Sequence, residues 1–515
     1  MKLYFLLIIS LYVLYVQDVF CQVQGEIPWP TLMDSPWPMI KHDPQGTGRS
    51  PYVGPKTANI IWTMDLEFGV FSGPAIDAVG NLYVGTNTWL PQDTTNYFYS
   101  LYPDGTIRWT FNTNETLSTN SGFLIGSDST IYFASQGGFV YAVDYWGNLK
   151  WKQDYGMNIF SHVMNIDLDS SIYFTSADGH LYSVYKHNGD IRWKVSYQGG
   201  VFSGFAASSP TFSPDGQTIY IAHKDSNLFA LKLDGTLKWK FICRPAKQVP
   251  LVDNEGNIYM IGSTDSVGLH SINPDGLLRW SYNFTSSWGS GGSTPFLSAT
   301  IDQNGNLFFI APIQGSTKLI SVDYNRNFRW EYNFEQGEFI SVPLICDRDG
   351  TIYCGSTFGY YYYAISNQGE LIWKVPLDGN EIDNSGAISS DGTLYIGTHL
   401  GSLVTGQEKT LIAIRDTVTS IEEYNSQITE YILEQNYPNP FNSTTNIRYS
   451  IPQSGRVALT IYDLMGSKIA KLLDRYQEAG SYDVIFQPKD LASGIYFYTL
   501  TSGNFTATKK LILLR

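Results

Sequence analysis

A tryptophan recurs along this chain at a nearly constant interval, and this interval restricts the fold more than any other feature. Most of these tryptophans are the last residue of the same short motif. In 104–109 and 234–239 this motif is Asp-Gly-Thr, then an apolar residue, a basic residue and the tryptophan. A repeat of this length, built from turns and short strands, suits one blade of a β-propeller, because a lone four-stranded sheet cannot bury both its faces. The eight copies are Trp62, Trp109, Trp151, Trp193, Trp239, Trp280, Trp330 and Trp373, with gaps of 47, 42, 42, 46, 41, 50 and 43 residues.

The composition favours an all-β protein. Aromatic residues make up 15% of the 515 residues and charged residues only 16%, and there are 47 glycines. This balance suits many half-buried strands joined by glycine turns rather than long charged helices.

Four strand signals follow one another between consecutive tryptophans. After Trp151 they cover 159–166, 171–175, 180–185 and 190–195, which we name strands A to D from the propeller axis outward. The turn from A to B often reads Gly-x-Ile/Leu-Tyr, as at 256–259 and 350–353. Glycine there supplies the positive φ that a tight hairpin requires.

The two ends of the repeat region complete each other. The last unit has A, B and C signals but no D strand, whereas a D-like strand, Asn59 to Trp62, stands alone at the start. Joining these pieces leaves no open sheet edge. We therefore predict an eight-bladed propeller over 51–415, closed by this N-terminal strand. Its A strands should begin near Phe71, Ser121, Ile159, Ala207, Lys247, Thr294, Phe339 and Asp383.

The N-terminus reads as a secretory signal peptide over 1–21. One lysine precedes an apolar run from Leu3 to Val16, and cleavage before Gln22 is consistent with the flanking residues. A membrane anchor and a lipidated Cys21 are the alternatives. After cleavage we expect no transmembrane segment.

The repeat resembles that of the PQQ-like propellers, the family of quinoprotein dehydrogenases and of the outer-membrane assembly lipoprotein propeller. The outer-strand tryptophan after the glycine turn and the Gly-x-Ile/Leu-Tyr text carry this resemblance. The lead-in at 22–50, with Trp37 to Asp43 and Thr47 to Ser50, is similar to the segment preceding such propellers. The resemblance implies that the lead-in packs under one face and that the eight tryptophans dock each blade onto the next.

A linker at 416–430 precedes a different domain at 431–515. Its alternating apolar runs predict a small β-sandwich. Five motifs, at 436–442, 461–466, 479–480, 493–498 and 509–511, closely resemble the type A C-terminal sorting domain of the type IX secretion system. This resemblance implies recognition by that machinery and export to the medium or the outer surface of a diderm bacterium. An ordinary carbohydrate-binding sandwich is the alternative.

The sequence predicts that a ligand meets the face formed by the D-to-A and B-to-C loops. These loops vary in length and content, whereas the turns of the opposite face are short and uniform. We call the first the loop face and the second the turn face. The loop face would present Phe71, Trp89, Gln136, His162, Asp178, Phe202, His223, Asp265, Trp288 and His399, a set that solvation alone also explains.

No motif in the sequence commits the chain to metal or quinone chemistry. Asp347 to Gly350 and Asp302 to Asn306 begin like calcium loops but lack the closing Glu, so hairpin turns explain them better. Cys346 and Cys354 flank one of these turns, and a disulfide and two free thiols are both open. We expect no cofactor; PQQ with calcium is the alternative, although the adjacent cysteine pair of many quinoproteins is absent.

Charge narrows the set of partners. The net charge is −14, and residues 431–515 carry nine Lys/Arg and six Asp/Glu, which leaves −17 on the rest of the chain. An acidic body disfavours nucleic acid as a partner. The sequence therefore favours a non-catalytic scaffold that binds a protein or a glycan. A PQQ-dependent sugar or alcohol dehydrogenase and a polysaccharide-cleaving enzyme remain the alternatives.

Overall fold

The structure is a computed structural model, and every regular element among its described residues is a β-strand. The residues it describes are 22–66, 69–70, 73–86, 97–113, 122–135, 137–156, 164–176, 178–196, 209–223, 227–245, 249–264, 266–284, 299–313, 315–340, 342–357, 361–377, 380–382, 384–400, 410–417, 431–436, 439, 441, 444–488 and 491–513.

Eight antiparallel sheets with the A-to-D strand order occur among the described residues of the repeat region. Sheet 1 comprises Ala75–Ile76, Leu82–Gly85, Tyr97–Leu101 and Ile107–Asn112; sheet 2 comprises Leu124–Ile125, Ile131–Ala134, Phe139–Val143 and Leu149–Asp154. Sheet 3 comprises Asn165–Ile166, Ser171–Thr175, His180–Tyr185 and Ile191–Ser196; sheet 4 comprises Thr211–Phe212, Thr218–His223, Asn227–Lys232 and Leu237–Ile242.

The next three sheets repeat this order. Sheet 5 comprises Leu251–Val252, Ile258–Ser263, Val267–Ile272 and Leu278–Asn283, with Arg244–Pro245 as an added strand beside B. Sheet 6 comprises Thr300–Ile301, Leu307–Ile313, Ser316–Val322 and Phe328–Asn333; sheet 7 comprises Ile345–Cys346, Ile352–Gly355, Tyr361–Ile365 and Leu371–Pro376. A separate two-stranded sheet joins Asn380–Glu381 to His399–Leu400.

Sheet 8 is built from both ends of the repeat region. Ala387–Ile388, Leu394–Gly397 and Leu411–Ile414 supply its A, B and C strands, and Ile60–Met64 supplies D. The register places Met64 opposite Leu411 and Trp62 opposite Ala413. The N-terminal strand therefore closes the last sheet, as the sequence predicts, and no D strand is missing from any of these sheets.

The residue before each repeated tryptophan is an extra residue in its strand. In all eight D strands the register shifts by one just before the indole, which is a β-bulge. The bulge lets the basic residue before the indole reach back across its own sheet. Arg108 and Arg279 donate from Nη1 to Ser100 and Ser271 on the adjacent C strands, at 2.7 and 2.8 Å.

The A strands are shorter than predicted. Each contains two residues and begins three to six residues after the position that the sequence suggests, so the start near Phe71 becomes Ala75 and that near Ile159 becomes Asn165. Strands A are the innermost of each sheet, where only a short stretch can pair before the chain enters the turn. The B and C strands of sheet 3 agree with the prediction residue for residue.

The lead-in runs along the inner strands of the sheets. The amides of Ile76, Ile125, Phe212 and Val252 donate to the carbonyls of Trp37, Pro38, Pro44 and Gln45, at 2.7 to 2.9 Å. Gly48 and Ser50 exchange two further backbone bonds with Cys346 of sheet 7. Because A strands surround the axis of a propeller, this segment ties successive sheets together from within.

The C-terminal domain consists of two sheets around one core. One sheet orders Ile432–Leu433, Thr445–Ile451 and Gly480–Phe486; the other orders Lys468–Gln477, Gly455–Tyr462, Gly494–Ser502 and Phe505–Leu513. Ile447 and Tyr449 of the first sheet pack with Leu459 and Tyr498 of the second, all fully buried. This arrangement is a small β-sandwich.

Cysteine pairing differs from one of the two sequence-based alternatives. Cys346 lies opposite Ile352 and Cys354 lies opposite Tyr363, so the two sulfurs do not face each other across the hairpin. Both residues are buried free thiols, and the disulfide between them is therefore wrong. Thr300 donates its hydroxyl to the Cys346 sulfur at 3.4 Å, and burial raises the pKa of Cys346 to about 12.

Candidate functional site

The repeated tryptophans join each sheet to the next through one hydrogen bond. Seven indole Nε1 groups donate to a backbone carbonyl of the following sheet or of the segment leading into it. The donor and acceptor pairs are Trp62 and Pro103, Trp109 and Tyr145, Trp151 and Lys186, Trp193 and Leu233, Trp239 and Pro274, Trp330 and Asn367, and Trp373 and Pro55, at 2.7 to 3.0 Å.

The turn glycines explain why these indoles fit. A Cβ on Gly276 would lie 2.6 Å from the Trp239 ring, and one on Gly369 would lie 2.6 Å from the Trp330 ring. Both glycines also have positive φ. Glycine is required here for the backbone conformation and for the close approach of the ring. The Gly and Trp of the repeat are thus two halves of one contact between neighbouring sheets.

Trp280 is the exception. At the position of the turn glycine, sheet 6 has Arg326, which holds a φ of 74°. The buried Trp280 Nε1 has no hydrogen-bond partner among the described residues. A side chain in the turn therefore coincides with loss of the indole bond at this junction.

The tyrosine that follows Ile or Leu at the start of strand B bonds to a buried aspartate. Tyr83, Tyr173 and Tyr259 donate their hydroxyls to Asp77, Asp167 and Asp253 of the A-to-B turns, at 3.0, 2.7 and 2.8 Å. The other carboxylate oxygen of each Asp accepts amides of its own turn. Burial raises the pKa of Asp77 and Asp167. These carboxylates hold the hairpins.

The two segments that begin like calcium loops are also hairpin turns closed by an aspartate. Asp347 accepts the amides of Asp349 and Thr351 through Oδ1, at 3.0 and 2.8 Å. Asp302 accepts those of Asn304 and Asn306, both at 2.8 Å. The carboxylates close turns, as the sequence suggests.

Most residues of the predicted loop-face set lie outside the described residues. These are Phe71, Trp89, Gln136, His162, Phe202, Asp265 and Trp288. His223 ends the B strand of sheet 4, opposite Asn227. Their assignment to a ligand face stays a prediction.

Two members of that set are described with their side chains. Asp178 accepts the hydroxyl of Tyr182 at 2.5 Å and the amide of His180 at 3.1 Å. Although burial alone would raise it, these bonds lower the pKa of Asp178. His399 is buried and pairs with Glu381 in the small two-stranded sheet. The structure does not bring Asp178 and His399 together in one pocket.

The axial segment contains a fully buried lysine. Lys41 is fully buried and donates from Nζ to the carbonyls of Ala299 and Leu344, at 3.1 and 2.9 Å. Burial lowers its pKa to about 8. Asp43 accepts both the amide and the hydroxyl of Thr47. The Lys41 amine thus bridges sheets 6 and 7, which is a structural task.

PQQ with calcium would require apolar groups on both faces of the quinone and a carboxylate at the metal ion. The axis is lined on the turn side by the lead-in, whose carbonyls and amine are bonded to the inner strands. No group of three or more His, Cys, Asp or Glu side chains in the described ranges is placed to hold a metal ion. The expectation that the protein binds no cofactor stays a prediction. Nor does the described chain include a helix long and apolar enough to cross a membrane.

The first motif of the C-terminal domain clamps the last strand. Asn439 donates to the carbonyl of Lys510 at 3.2 Å and accepts the amide of Ile512 at 2.7 Å. Gln435 also donates to the Lys510 carbonyl, at 2.6 Å. Tyr498 accepts the amide of Asn436 and donates to the carbonyl of Glu434, both at 2.6 Å. The separated motifs are thus parts of one folded unit.

The exposed aromatic side chains of Tyr102 and Trp146 were not predicted from the sequence. Tyr102 and Trp146 lie on C-to-D turns of the turn face, at 49% and 45% exposure. The available signal was that Trp146 occupies a position where sheets 1, 4 and 5 have Asp.

Solved structures similar to this chain include BamB and quinohemoprotein alcohol dehydrogenases. BamB from Moraxella catarrhalis aligns with 70% of this chain and 100% of its own, at TM-score 0.52 and 14% identity. Quinohemoprotein alcohol dehydrogenase from Comamonas testosteroni aligns with 73% and 80%, at TM-score 0.56 and 12% identity. Quinohemoprotein alcohol dehydrogenase ADHIIG from Pseudomonas putida HK5 aligns with 76% and 82%, at 0.56 and 12%. At these identities the likeness shows the fold alone.

Two sequence families match the chain. Residues 435–514 match the secretion system C-terminal sorting domain, so the chain carries the address of an exported protein. The profile for outer membrane protein assembly factor BamB matches 97–249 and 138–373, which together span more than half of the chain. No curated protein matches the chain significantly. The chain therefore belongs to the BamB family of PQQ-like β-propellers, with a type IX sorting domain at its C-terminus.

Proposed function

We propose that this protein is an exported, non-catalytic scaffold that binds a protein or a glycan through its propeller, and that the sorting domain delivers it to the cell surface or the medium. The sorting-domain match supports export. The distinction between attachment and release, and the identity of the ligand, are parts of this proposal.

The observation that supports the binding role is that the side chains of the repeated residues bond within the framework. The tryptophans, the turn aspartates, the B-strand tyrosines and the bulged arginines bond mainly to one another or to backbone within the framework. The residues that recur from sheet to sheet are thus committed to holding the framework together. Specific binding then depends on residues that differ between sheets, which is how scaffolds on repeat folds acquire partners.

Binding without turnover is the testable consequence. Purified chain 22–515 would be applied to a glycan array and to immobilised extracts of surface proteins. In parallel it would be incubated with PQQ, calcium, alcohols or sugars and a redox dye, and with soluble polysaccharides. We expect saturable binding to at least one ligand, no dye reduction and unchanged polymer length. Quinone-dependent dye reduction or a fall in polymer length would overturn the proposal.

Delivery has its own test. In a bacterium with a type IX system, the sorting domain of the full chain would carry Asn439→Ala, which removes the clamp on the last strand. We expect this variant to accumulate inside the cell, while Asn283→Ala, in the propeller, is exported like wild type. Equal export of the two variants would contradict this assignment of the clamp.

A further inference from the structure

Four side chains form a continuous stack across the junction of sheets 1 and 2 on the turn face. The Arg108 guanidinium carbon lies 5.7 Å from the centre of the Tyr102 ring and 4.3 Å from that of Tyr145. Tyr145 contacts Trp146 edge to face, with ring centres 4.8 Å apart and an interplanar angle of 82°. We name Tyr102, Tyr145 and Trp146 the aromatic ridge. Its outer members are exposed, and its central ring is held by a cation.

The junction of sheets 5 and 6 repeats the buried half of this arrangement. There Arg279 lies 4.9 Å from the Tyr324 ring, in the place of Arg108 and Tyr145. The layer beneath is also equivalent. Asn81 donates to Tyr145 at 3.2 Å, and Asn257 donates to Tyr324 at 2.7 Å. The two junctions thus share one framework of Asp, Asn, Tyr and Arg.

The exposed half differs between the two junctions. Asn273 takes the place of Tyr102, and Asn325 takes the place of Trp146. The same framework is therefore complete with two asparagines on its surface. The aromatic side chains at 102 and 146 are additions that the fold does not need at this position.

Exposed aromatic surface that the fold does not require points to recognition. Burying a ring usually stabilises a protein, yet Tyr102 and Trp146 remain about half exposed. Their neighbours at the surface include the polar residues Asp104 and Asn148, which are exposed on the same two turns, and the apolar residues Ile107 and Leu149, which are exposed directly after these turns. The ridge offers ring faces beside hydrogen-bonding groups on an ordered frame.

We propose that the aromatic ridge binds a pyranose ring of a neutral glycan. The C–H face of a pyranose packs on an aromatic ring while its hydroxyls bond to carboxylates and amides, and the ridge and its two polar neighbours supply both. The net charge of −17 outside the C-terminal domain disfavours an acidic polymer. This inference rests on the binding role proposed above and names its ligand class. It places the site on the turn face, opposite the face predicted from the sequence.

The test uses the second junction as its template. In chain 22–515, Tyr102→Asn with Trp146→Asn gives the first junction the surface of the second. Leu277→Asn is the matched control, because Leu277 is exposed on the turn of sheet 5 away from the ridge. Binding would be measured with soluble β-glucan and mannan by affinity electrophoresis and with cellulose by pull-down, and melting curves would confirm that all variants fold.

We expect the double variant to lose affinity at least tenfold for the neutral glycan that wild type binds best, and Leu277→Asn to match wild type. Asn273→Tyr with Asn325→Trp should add a second site and double the stoichiometry. Unchanged binding by the folded double variant would overturn the ridge as the site and leave the scaffold role standing. Binding of protein extracts but of no neutral glycan would overturn the ligand class alone, and absence of all binding would overturn both.

Discussion

Replacing Arg326 with glycine should make the propeller more stable, although it deletes a side chain. The six glycines that adjoin an indole show what this turn position requires: positive φ and no Cβ against the ring. Arg326 adopts the positive φ, at 74°, but it does so with a Cβ, and the buried Trp280 Nε1 has no partner among the described residues. Arg326→Gly removes both defects together.

The expected gain has three parts. Relief of the left-handed backbone is worth about 1 kcal/mol, reduced by the greater freedom of glycine in the unfolded chain. A hydrogen bond from the Trp280 indole to the turn carbonyl adds about 0.5–1.5 kcal/mol. Loss of the bond from Arg326 to the Ser281 carbonyl, at 3.3 Å and exposed, subtracts at most about 0.5 kcal/mol. The net free energy of unfolding should rise by about 1–2 kcal/mol.

Urea unfolding followed by tryptophan fluorescence measures this change. All 13 tryptophans precede residue 431, so the signal reports the propeller and not the sorting domain. With an m-value of roughly 4 kcal/mol/M for a domain of this size, the midpoint should rise by about 0.3–0.5 M. Thermal shifts would be smaller and less informative.

Two controls separate the causes. Arg326→Ala removes the guanidinium but keeps the Cβ, so its midpoint should not rise. Gly276→Ala imposes the defect on the neighbouring junction, where a Cβ would lie 2.6 Å from the Trp239 ring, and should cost about 2–4 kcal/mol. If Arg326→Gly proves no more stable than Arg326→Ala, the explanation of the Gly and Trp pair is refuted.

Three further predictions concern buried polar groups. Burial lowers the pKa of His270, so the unfolded state gains its proton at a higher pH than the folded state as pH falls below about 6.5; wild type should lose stability relative to His270→Phe between pH 7 and 5 in urea titrations. The folded Lys41 amine loses its proton near pH 8 but the unfolded one only near about 10.4, so wild type should gain stability over Lys41→Met between pH 8 and 10, and a flat difference would contradict the burial argument. Tyr259→Phe removes a donor from buried Asp253 and should cost about 1–3 kcal/mol by the same assay, whereas Tyr220→Phe should cost less, because sheet 4 has Ser213 at the position of Asp253.

Much of the fold could be predicted from the sequence because most sheets contain the same contact between an indole and a glycine turn. An indole against a glycine turn demands a fixed spacing, and the B and C strands of sheet 3 follow from it without error. Pairing of Ile60–Met64 with Leu411–Ile414 followed from counting strands. The C-terminal domain was readable because its motifs hold one another across the chain, as Asn439 holds the last strand.

Other features lacked a local signal. The A strands pair over only two residues, and their limits depend on how closely the sheets approach the axis, which no periodicity records. Lys468–Gln477 is an edge strand with most of its side chains exposed or half exposed, so it lacks the alternating apolar pattern of a buried strand. The separation of Cys346 from Cys354 depends on hairpin register. The loop-face set lies mainly in the D-to-A and B-to-C loops, whose sequences do not follow the repeat.

Two residues that depart from the repeat, Arg326 and Trp146, differ in whether they disturb the repeated contacts. Arg326 coincides with an unsatisfied buried indole, so its departure weakens a junction. Trp146 costs the framework nothing visible, because Trp109 still donates to the Tyr145 carbonyl at 3.0 Å and Trp146 itself keeps its turn bond to Asp144 at 2.9 Å. The repeated contacts therefore do not explain why a large exposed ring stands at this position. This difference between Trp146 and Arg326, and not exposure alone, is the basis for proposing the glycan site at the aromatic ridge.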